Sequence, residues 1–246
     1  KFMNKKIAVV TLTWNDWKNT VECLESIFNS SYDFFDVILI DNNSEKYHLD
    51  KIFMWADNQI NVKDEEFDFN PNKNLQIINI NKDYFIEKPG HKKIFLLRNE
   101  KNLGLTAGLN VGYDFLIKQK YDYIARIDCD FIITKKYLEN MKNLFQQDKM
   151  IVAASPKIKH AFLRNTIWWA GLKINWSYLK FQRTMNLKKK RIKDSALLQG
   201  LIETDAVCGC CSFYKINALK LSGLGDEDFF LGPEDIELSF RLKKLG

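Results

Sequence analysis

Residues 7–13, IAVVTLT, and residues 36–40, DVILI, decide the fold of this chain. Both runs are apolar and rich in β-branched side chains, which is typical of strands buried inside a sheet. Between them, apolar side chains recur at i, i+4, i+7 and i+11 on one helical face: Trp17, Val21, Leu24 and Phe28. A strand, a helix and a strand in this order predict a βαβ unit with parallel strands and a right-handed crossover.

The alternation of strands and helices continues along the chain and predicts an α/β fold, with a mostly parallel central sheet flanked by helices. Further strands are predicted over 75–80, 94–97, 123–127 and 151–154, helices over 48–59, 106–118 and 135–145, and a polar loop over 61–74. Beyond Ser155 the pattern loosens, and only a strand-like run over 205–214 and a helix over 234–245 stand out. The change of pattern near Ser155 indicates that the part before it binds a nucleotide and the part after it forms a second pocket.

The composition narrows the class of protein. The chain has 246 residues, of which 46% are hydrophobic and 28% charged, so it can fold as one large domain with a substantial core. Its formal net charge of +6 is a mild excess that suits an anionic or phosphate-rich ligand, or an acidic membrane surface. It lacks the dense basic stripe of a nucleic-acid binder, so we expect no nucleic-acid partner.

The cysteines and the apolar runs predict a cytoplasmic protein. The five cysteines are odd in number, and three of them are bunched at 208, 210 and 211, which makes a poor disulfide framework. These three cysteines lack the second pair of ligands that a zinc site needs. The histidines His48, His91 and His160 are scattered, which argues against a zinc site and against a Ser-His-Asp catalytic triad. We expect no signal peptide, and no apolar run approaches the roughly 18 residues needed to span a bilayer.

Polar residues follow three of the predicted strands. Thr13 and Asn15 follow the first strand, Asp41 follows the second, and Asp128 and Asp130 follow the strand at 123–127. Ligands of open α/β sheets bind beyond the carboxyl ends of the strands. The sequence therefore predicts that these side chains line one crevice.

The Asp128-Cys129-Asp130 run is a candidate metal site. Residues i and i+2 of an extended segment face the same way, so both carboxylates can point into the crevice. Two hard oxygen ligands beside a diphosphate suit Mg²⁺ or Mn²⁺. The alternative is a solvated loop, and Asp226-Glu227-Asp228 has the same spacing. The preceding buried strand favours the metal site.

Glycines at 104, 108 and 112 stand four residues apart in the run NLGLTAGLNVG, which starts at Asn102. On a helix this spacing clears one face, either for packing on the sheet or for a ligand, and both alternatives remain open for Gly108 and Gly112. The loop at 101–104 also brings a helix N-terminus near the crevice, which favours an anion.

Two acidic residues, Glu234 and Asp235, open the last predicted helix. They are either helix caps or, in the case of Asp235, a general base for an acceptor hydroxyl. Trp168, Trp169 and Trp176 are candidates for stacking on sugar rings, although core packing is the commoner role of tryptophan. The basic run 188–191 is either a solvated loop or a contact for lipid phosphate.

Taken together, these segments resemble family 2 of the inverting glycosyltransferases, which have the GT-A fold. The resemblance rests on six segments in the family's order: VVTLTWN (9–15), LIDNNS (39–44), 99–112, IDCD (127–130), 209–214 and FFLGPEDIELSFR (229–241). They span nearly the whole chain, and they resemble most the rhamnosyltransferase-like members that build bacterial surface polysaccharides.

The resemblance implies transfer of a sugar from a nucleotide diphosphate-sugar to a hydroxyl of a saccharide or lipid-linked saccharide, with Mn²⁺ or Mg²⁺. It implies a single domain, 1–246, with a donor-binding half (1–130), an acceptor-binding half (131–246) carrying a smaller sheet, and contact with the inner face of the membrane. The resemblance also implies the roles of single residues: Asp235 would be the catalytic base, and Asp130, with Asp128, would hold the metal. The donor site comprises Thr11, Thr13, Asn15, Asp41, Asn102, Gly104, Asp128 and Asp130, and the acceptor or sugar site Trp169, Gly209 and Glu234.

Three other classes of protein share parts of this pattern. A nucleotidyltransferase has a similar nucleotide half, but the Gly-rich, Arg-containing loop after its first strand is not found in the sequence. A binding module for nucleotide-sugars needs no base beside the donor, and a structural protein needs no metal-dependent nucleotide site. Donor hydrolysis and metal-dependent nucleotide binding distinguish these classes.

Overall fold

The computed structural model describes residues 4–62, 75–161, 163, 165–175, 180–183, 193–194 and 200–246. Its strands are β1 (Ile7–Thr13), β2 (Phe35–Asp41), β3 (Ile77–Ile80), β4 (Ile94–Arg98), β5 (Tyr123–Ile127), β6 (Ala153–Ala154), β7 (Ile158–Lys159), β8 (Ile167–Trp169), β9 (Leu172–Asn175), β10 (Lys180–Arg183) and β11 (Cys211–Lys215). Its helices are α1 (Trp17–Phe28), α2 (Lys46–Ala56), α3 (Gly104–Ile117), α4 (Tyr137–Gln147), α5 (Ile216–Ser222) and α6 (Glu234–Leu242).

Seven strands form the central sheet in the order β3-β4-β2-β1-β5-β11-β6. The first five strands of this order are parallel, and β11 runs antiparallel between β5 and β6. Two small antiparallel pairs, β7-β8 and β9-β10, lie outside the sheet. The predicted mostly parallel sheet with a smaller sheet region is therefore confirmed.

Alternation along β1 builds the core on both faces of the sheet. Ile7 and Val9 belong to one apolar cluster, whereas Ala8 and Val10 belong to the other. Helices α1, α2 and α4 pack in the first cluster, and α3, α5 and α6 in the second. Each aliphatic side chain buried in this way contributes roughly 1.5–3 kcal/mol to folding.

Helix α1 begins after Asp16, whose carboxylate accepts a hydrogen bond from the Asn19 backbone N–H at 3.4 Å. Helix α3 lies on β1 and β2 through its glycines. A Cβ on Gly108 would come within 2.5 Å of Leu12 Cδ1, and one on Gly112 within 2.4 Å of Ile40 Cδ1. Both glycines therefore serve helix-on-sheet packing, one of the two predicted roles.

The second half of the chain differs most from the sequence prediction. The strand expected over 205–214 covers only Cys211–Lys215, and Ala206 instead makes an isolated bridge with Leu172. Helix α5 follows β11 directly and was not predicted. Part of the predicted loop, residues 63–74, together with Trp176 and the basic run 188–191, lies outside the described residues. No described helix is both long and apolar enough to cross a membrane.

Candidate active site

The carboxyl ends of β2, β1 and β5 meet at one edge of the sheet. Thr13 pairs with Asp41 at the last register position, and the Asn42 backbone N–H donates to the Thr13 carbonyl at 2.9 Å. Asn15 has a positive φ of 53° and joins the loop after β1 to the loop after β2. Its backbone N–H donates to Ser44 Oγ at 2.9 Å, and its Oδ1 accepts from the Glu45 N–H at 2.7 Å. The predicted polar strand ends therefore share one edge.

Asp41 is fully buried at this edge, and its two carboxylate oxygens differ in their contacts. Oδ1 accepts a hydrogen bond from the Ser44 backbone N–H at 2.9 Å. Oδ2 lies 3.1 Å from Arg98 Nε, but no described residue donates a hydrogen bond to it. The Arg98 guanidinium compensates the charge of Oδ2, and this oxygen retains the capacity to accept a further hydrogen bond.

Thr11 and Thr13 are committed to the fold, contrary to the donor contacts predicted for them. Thr11 is fully buried, and its hydroxyl donates to the Ile127 carbonyl at 3.0 Å, which joins β1 to β5. Thr13 is 1% exposed and its hydroxyl pairs with that of Thr20 at 2.7 Å. Because the hydroxyl of Thr11 is satisfied within the sheet and that of Thr13 by helix α1, both side chains support the edge of the sheet from beneath.

A network of three asparagines holds the loop before α3. Asn42 Nδ2 donates to Asn102 Oδ1 at 2.8 Å and to the Gly104 carbonyl at 3.0 Å. Its Oδ1 accepts from Asn99 Nδ2 at 3.0 Å and from the Leu103 N–H at 3.1 Å. Asn42 and Asn99 were not predicted as site residues, although both lie in segments that carry the family resemblance (39–44 and 99–112). The network gives Asn102 a positioning role in the loop.

The N-terminus of α3 is occupied by another part of the chain. The Leu105 N–H donates to the Phe230 carbonyl at 3.0 Å, and the Thr106 hydroxyl donates to the Phe229 carbonyl at 2.5 Å. Gly104 has a φ of +80°, and a Cβ there would lie 2.5 Å from the Phe230 ring. The predicted anion site at this helix end is therefore covered by the 229–230 segment in this structure.

Arg126 on β5 is the functional candidate that sequence reasoning missed. It is 4% exposed, with Nε 3.1 Å from Asp128 Oδ1 and Nη1 3.2 Å from Glu234 Oε1. The pairing of β5 with β11 continues one residue beyond the strands, where the Asp128 N–H donates to the Cys210 carbonyl at 2.9 Å. One buried cation thus joins the loop after β5 to the start of α6.

Asp128 and Asp130 form the Asp-x-Asp at the end of β5. Burial raises the pKa of Asp128, whereas the Arg126 guanidinium lowers it and the negative charge of Asp130 raises it further. Asp130 is exposed. The described residues hold no cluster of three or more metal-ligating side chains. Two neighbouring carboxylates of which one is exposed fit a hard divalent cation that takes its other ligands from a diphosphate and water.

Asp235 is partly buried in the first turn of α6. Its Oδ2 accepts the Gly209 N–H at 2.9 Å, and its Oδ1 accepts the Ile236 N–H at 2.8 Å. Burial raises its pKa, the Gly209 hydrogen bond lowers it, the Glu234 charge raises it and Arg126 lowers it. The result is a carboxylate held by backbone donors with its pKa above the ordinary range, as a general base requires.

The family model described as glycosyl transferase family 2 matches residues 8–79 and 76–220. The chain belongs to glycosyl transferase family 2. No curated protein matches this family 2 chain.

Several solved structures share the fold of this chain at low sequence identity. TarS 1–349 from S. aureus has a TM-score of 0.56 at 14% identity, over 98% of this chain and 56% of that chain. TarS 1–349 in complex with UDP-GlcNAc gives 0.54 at 15%, over 97% and 53%. The mannosyltransferase PcManGT from Pyrobaculum calidifontis, in complex with GDP-Man and Mn²⁺, gives 0.59 at 14%, over 98% and 52%. The family 2 chain has the GT-A fold and spans about half the length of these structures.

Trp169 of this family 2 chain, which the sequence predicted in an acceptor or sugar site, lies among the buried side chains of the core. It is 8% exposed, and its indole N–H donates to Ser155 Oγ at 3.3 Å. With its ring packed among apolar side chains, it has no face open for a sugar. Trp168 is partly buried and makes an edge contact with Phe131, with the ring centroids 6.4 Å apart.

The five cysteines of the family 2 chain are free thiols. Cys208 and Cys210 flank Gly209, and their sulfurs lie 3.1 Å apart. Gly209 has no room for a side chain, because a Cβ there would lie 2.9 Å from Arg126 Nη1 and 3.0 Å from Asp235 Cβ. Gly209 therefore allows Arg126 and the α6 carboxylate to approach the same backbone.

Proposed function

We propose that this chain transfers a sugar from a nucleotide diphosphate-sugar to an acceptor hydroxyl, with inversion at the anomeric carbon. The observation that carries the proposal is the Arg126 bridge. It joins Asp128 of the Asp-x-Asp to Glu234, the residue before the candidate base Asp235. One buried cation therefore links a carboxylate suited to a donor with the first turn of the helix that carries a carboxylate suited to an acceptor, and transfer between two substrates requires such groups to lie close together.

The donor half of the site is assigned to the sheet edge. Asp41, whose buried Oδ2 is ion-paired with Arg98 but accepts no hydrogen bond from a described residue, is proposed to accept an N–H of the nucleotide base. Asp128 is proposed to contact the ribose or the sugar, and Asp130, with Asp128, to hold Mn²⁺ or Mg²⁺. When bound, such a cation supplies charge stabilisation for the diphosphate leaving group. The Mn²⁺ bound by the mannosyltransferase PcManGT supports this assignment.

Asp235 is proposed to be the general base. It accepts the proton of the acceptor hydroxyl as that oxygen forms its bond to the anomeric carbon. The bond from the anomeric carbon to the diphosphate breaks in the same step, and its electron pair leaves with the nucleoside diphosphate. The raised pKa of Asp235 makes its carboxylate a stronger base than an exposed aspartate. Its two backbone hydrogen bonds hold it ready for the reaction.

The finer identity of the substrates extends the same proposal. We propose a saccharide or lipid-linked saccharide as acceptor, and a role in bacterial surface polysaccharide synthesis, with rhamnosyl or hexosyl transfer at the cytoplasmic face of the membrane. The segment resemblance and the net charge of +6 support this assignment. GDP-Man and UDP-GlcNAc, bound by the structural neighbours, support a diphosphate-linked donor.

A thermal-shift screen of UDP-, GDP-, dTDP- and CMP-sugars, with Mn²⁺, Mg²⁺ or a chelator, tests the donor site. At a concentration of about 100 Kd, the right donor stabilises the fold by about 2.7 kcal/mol. This corresponds to a rise in Tm of roughly 5–10 °C for a chain of this size. The rise should require the divalent cation.

Two matched variants localise the effect, because both remove an exposed aspartate from an Asp-x-Asp. Asp130→Ala should abolish the metal-dependent rise, whereas Asp228→Ala should keep it. The identified donor is then incubated with saccharide acceptors, and the anomeric configuration of the product is read by NMR. Retention of configuration, or donor hydrolysis without transfer under all conditions, would contradict the proposal.

A further inference from the structure

A buried arginine stands between the two groups of carboxylates that the proposed reaction uses. Arg126 is 4% exposed, and it contacts Asp128 on one side and Glu234 on the other. These two partners are 106 positions apart in the sequence. A buried cation of this kind is stable only when its charge is matched and its donors are satisfied. Here the matching charges come from the donor loop and from the first residue of α6.

The bridge also determines which carboxylate of the Glu234–Asp235 pair is available to an acceptor. Glu234 is 7% exposed and its carboxylate is engaged by Arg126 Nη1. Asp235 is more exposed, and it accepts hydrogen bonds from the backbone of Gly209 and Ile236. By holding Glu234, Arg126 leaves Asp235 as the carboxylate that faces the reaction.

Contacts around Gly209 transmit the position of Arg126 to Asp235. The space at the Gly209 Cα is filled from two sides, by Arg126 Nη1 and by the side chain of Asp235. Arg126, Glu234 and Asp235 also line one small cavity together with Tyr113. A shift of the guanidinium would therefore move the start of α6 and the base with it.

We infer that Arg126 is a positioning residue for the proposed transfer: its two-point contact holds the Asp-x-Asp loop and the start of α6 in the arrangement that orients Asp235. The inference rests on the proposed function. Arginine suits this role because its planar fork makes two directed contacts at once, whereas lysine has a single ammonium group.

Replacement of Arg126 by lysine tests the inference while it keeps a cation between the carboxylates. Arg126→Lys should remain folded and bind the donor with a Kd within about threefold of that of the unmodified chain. Its kcat should fall roughly 10- to 100-fold, which is the scale expected when a reacting group is misplaced by about 1 Å. Arg241→Lys is the matched control. Arg241 also makes a two-point contact, with Glu237 on the same helix, at 2.6 Å for both nitrogens.

Donor Kd is measured by calorimetry and kcat by nucleoside diphosphate release, both per folded molecule. If Arg126 were merely structural, its replacement by lysine would lower Tm and leave kcat per folded molecule unchanged, as in Arg241→Lys. Glu234→Gln, which removes the other end of the bridge, provides a second variant that should lower kcat with a similar Kd. The double variant should lose less than the product of the two single losses, because both changes break one contact.

Wild-type kcat in both Arg126→Lys and Glu234→Gln would overturn the inference and leave the proposed function intact. An unmodified chain that binds no nucleotide-sugar and turns none over would instead refute the proposed function, and the positioning role with it.

Discussion

Asp235→Asn tests the chemistry of the site most directly, because it removes a proton acceptor and changes the shape of the side chain very little. The variant should bind donor and acceptor nearly as the unmodified chain does. Its kcat should fall by about 10²- to 10⁴-fold, which is the usual contribution of a general base. The loss should appear in kcat and not in the donor Kd, since Asp41, Asp128 and Asp130 are unchanged.

The effect of the same change on stability is the balance of two opposite terms. Burial raises the pKa of Asp235, so its ionised form is less favourable in the folded chain than in the unfolded chain. Stability from this group is therefore present at low pH and is lost as the pH rises through the folded pKa, and a neutral asparagine avoids that loss at neutral pH. Against this, the asparagine carbonyl can accept only one of the hydrogen bonds from Gly209 and Ile236, which costs about 1–3 kcal/mol.

The two terms oppose each other, so Tm should change by no more than about 5 °C. Nucleoside diphosphate release is followed in a coupled assay across pH, with circular dichroism to monitor the fold. In the unmodified chain kcat should fall as the pH is lowered through the raised pKa of Asp235, because the protonated acid cannot accept a proton. Asp228→Asn, at an exposed aspartate of the preceding loop, is the control. Near-normal kcat in a folded Asp235→Asn variant would refute the assignment of the base.

Three further substitutions separate structural from catalytic roles. Gly209→Ala should keep the fold, at a cost of about 1–3 kcal/mol measured by urea unfolding, but lower kcat, because its Cβ would displace Asp235. Thr11→Val should lower the free energy of unfolding by about 1 kcal/mol, because the Ile127 carbonyl loses its hydroxyl donor. The donor Kd should not change, and a large loss of donor affinity would instead place Thr11 in the donor site. Asp36→Asn should lower the free energy of unfolding by at least about 2 kcal/mol, because this fully buried carboxylate accepts three backbone N–H groups and a tyrosine hydroxyl.

Local patterns in the sequence were sufficient for the framework. Strands β1 and β2 lie where apolar, β-branched runs predict them, because burial on both faces of a parallel sheet requires such runs. Asp41 is the last residue of β2, and Asp128 and Asp130 follow β5, so their position at the carboxyl edge follows from the strand prediction and the parallel order of the strands. Spacing alone could not separate Asp128-x-Asp130 from Asp226-x-Asp228, but the preceding strand did.

Contacts between distant segments decided the rest. Arg126 stands inside a buried strand, where nothing in the local sequence indicates that its partner is Glu234, 108 positions away. That contact depends on β11 inserting antiparallel beside β5, which brings Gly209 and the start of α6 to the carboxyl edge of the parallel strands. In the same way, the 229–230 segment covers the N-terminus of α3, and Thr11 turns its hydroxyl to the neighbouring strand. Periodicity reports which face of an element is buried, whereas the partner that buries it is set by the order of strands in the folded sheet.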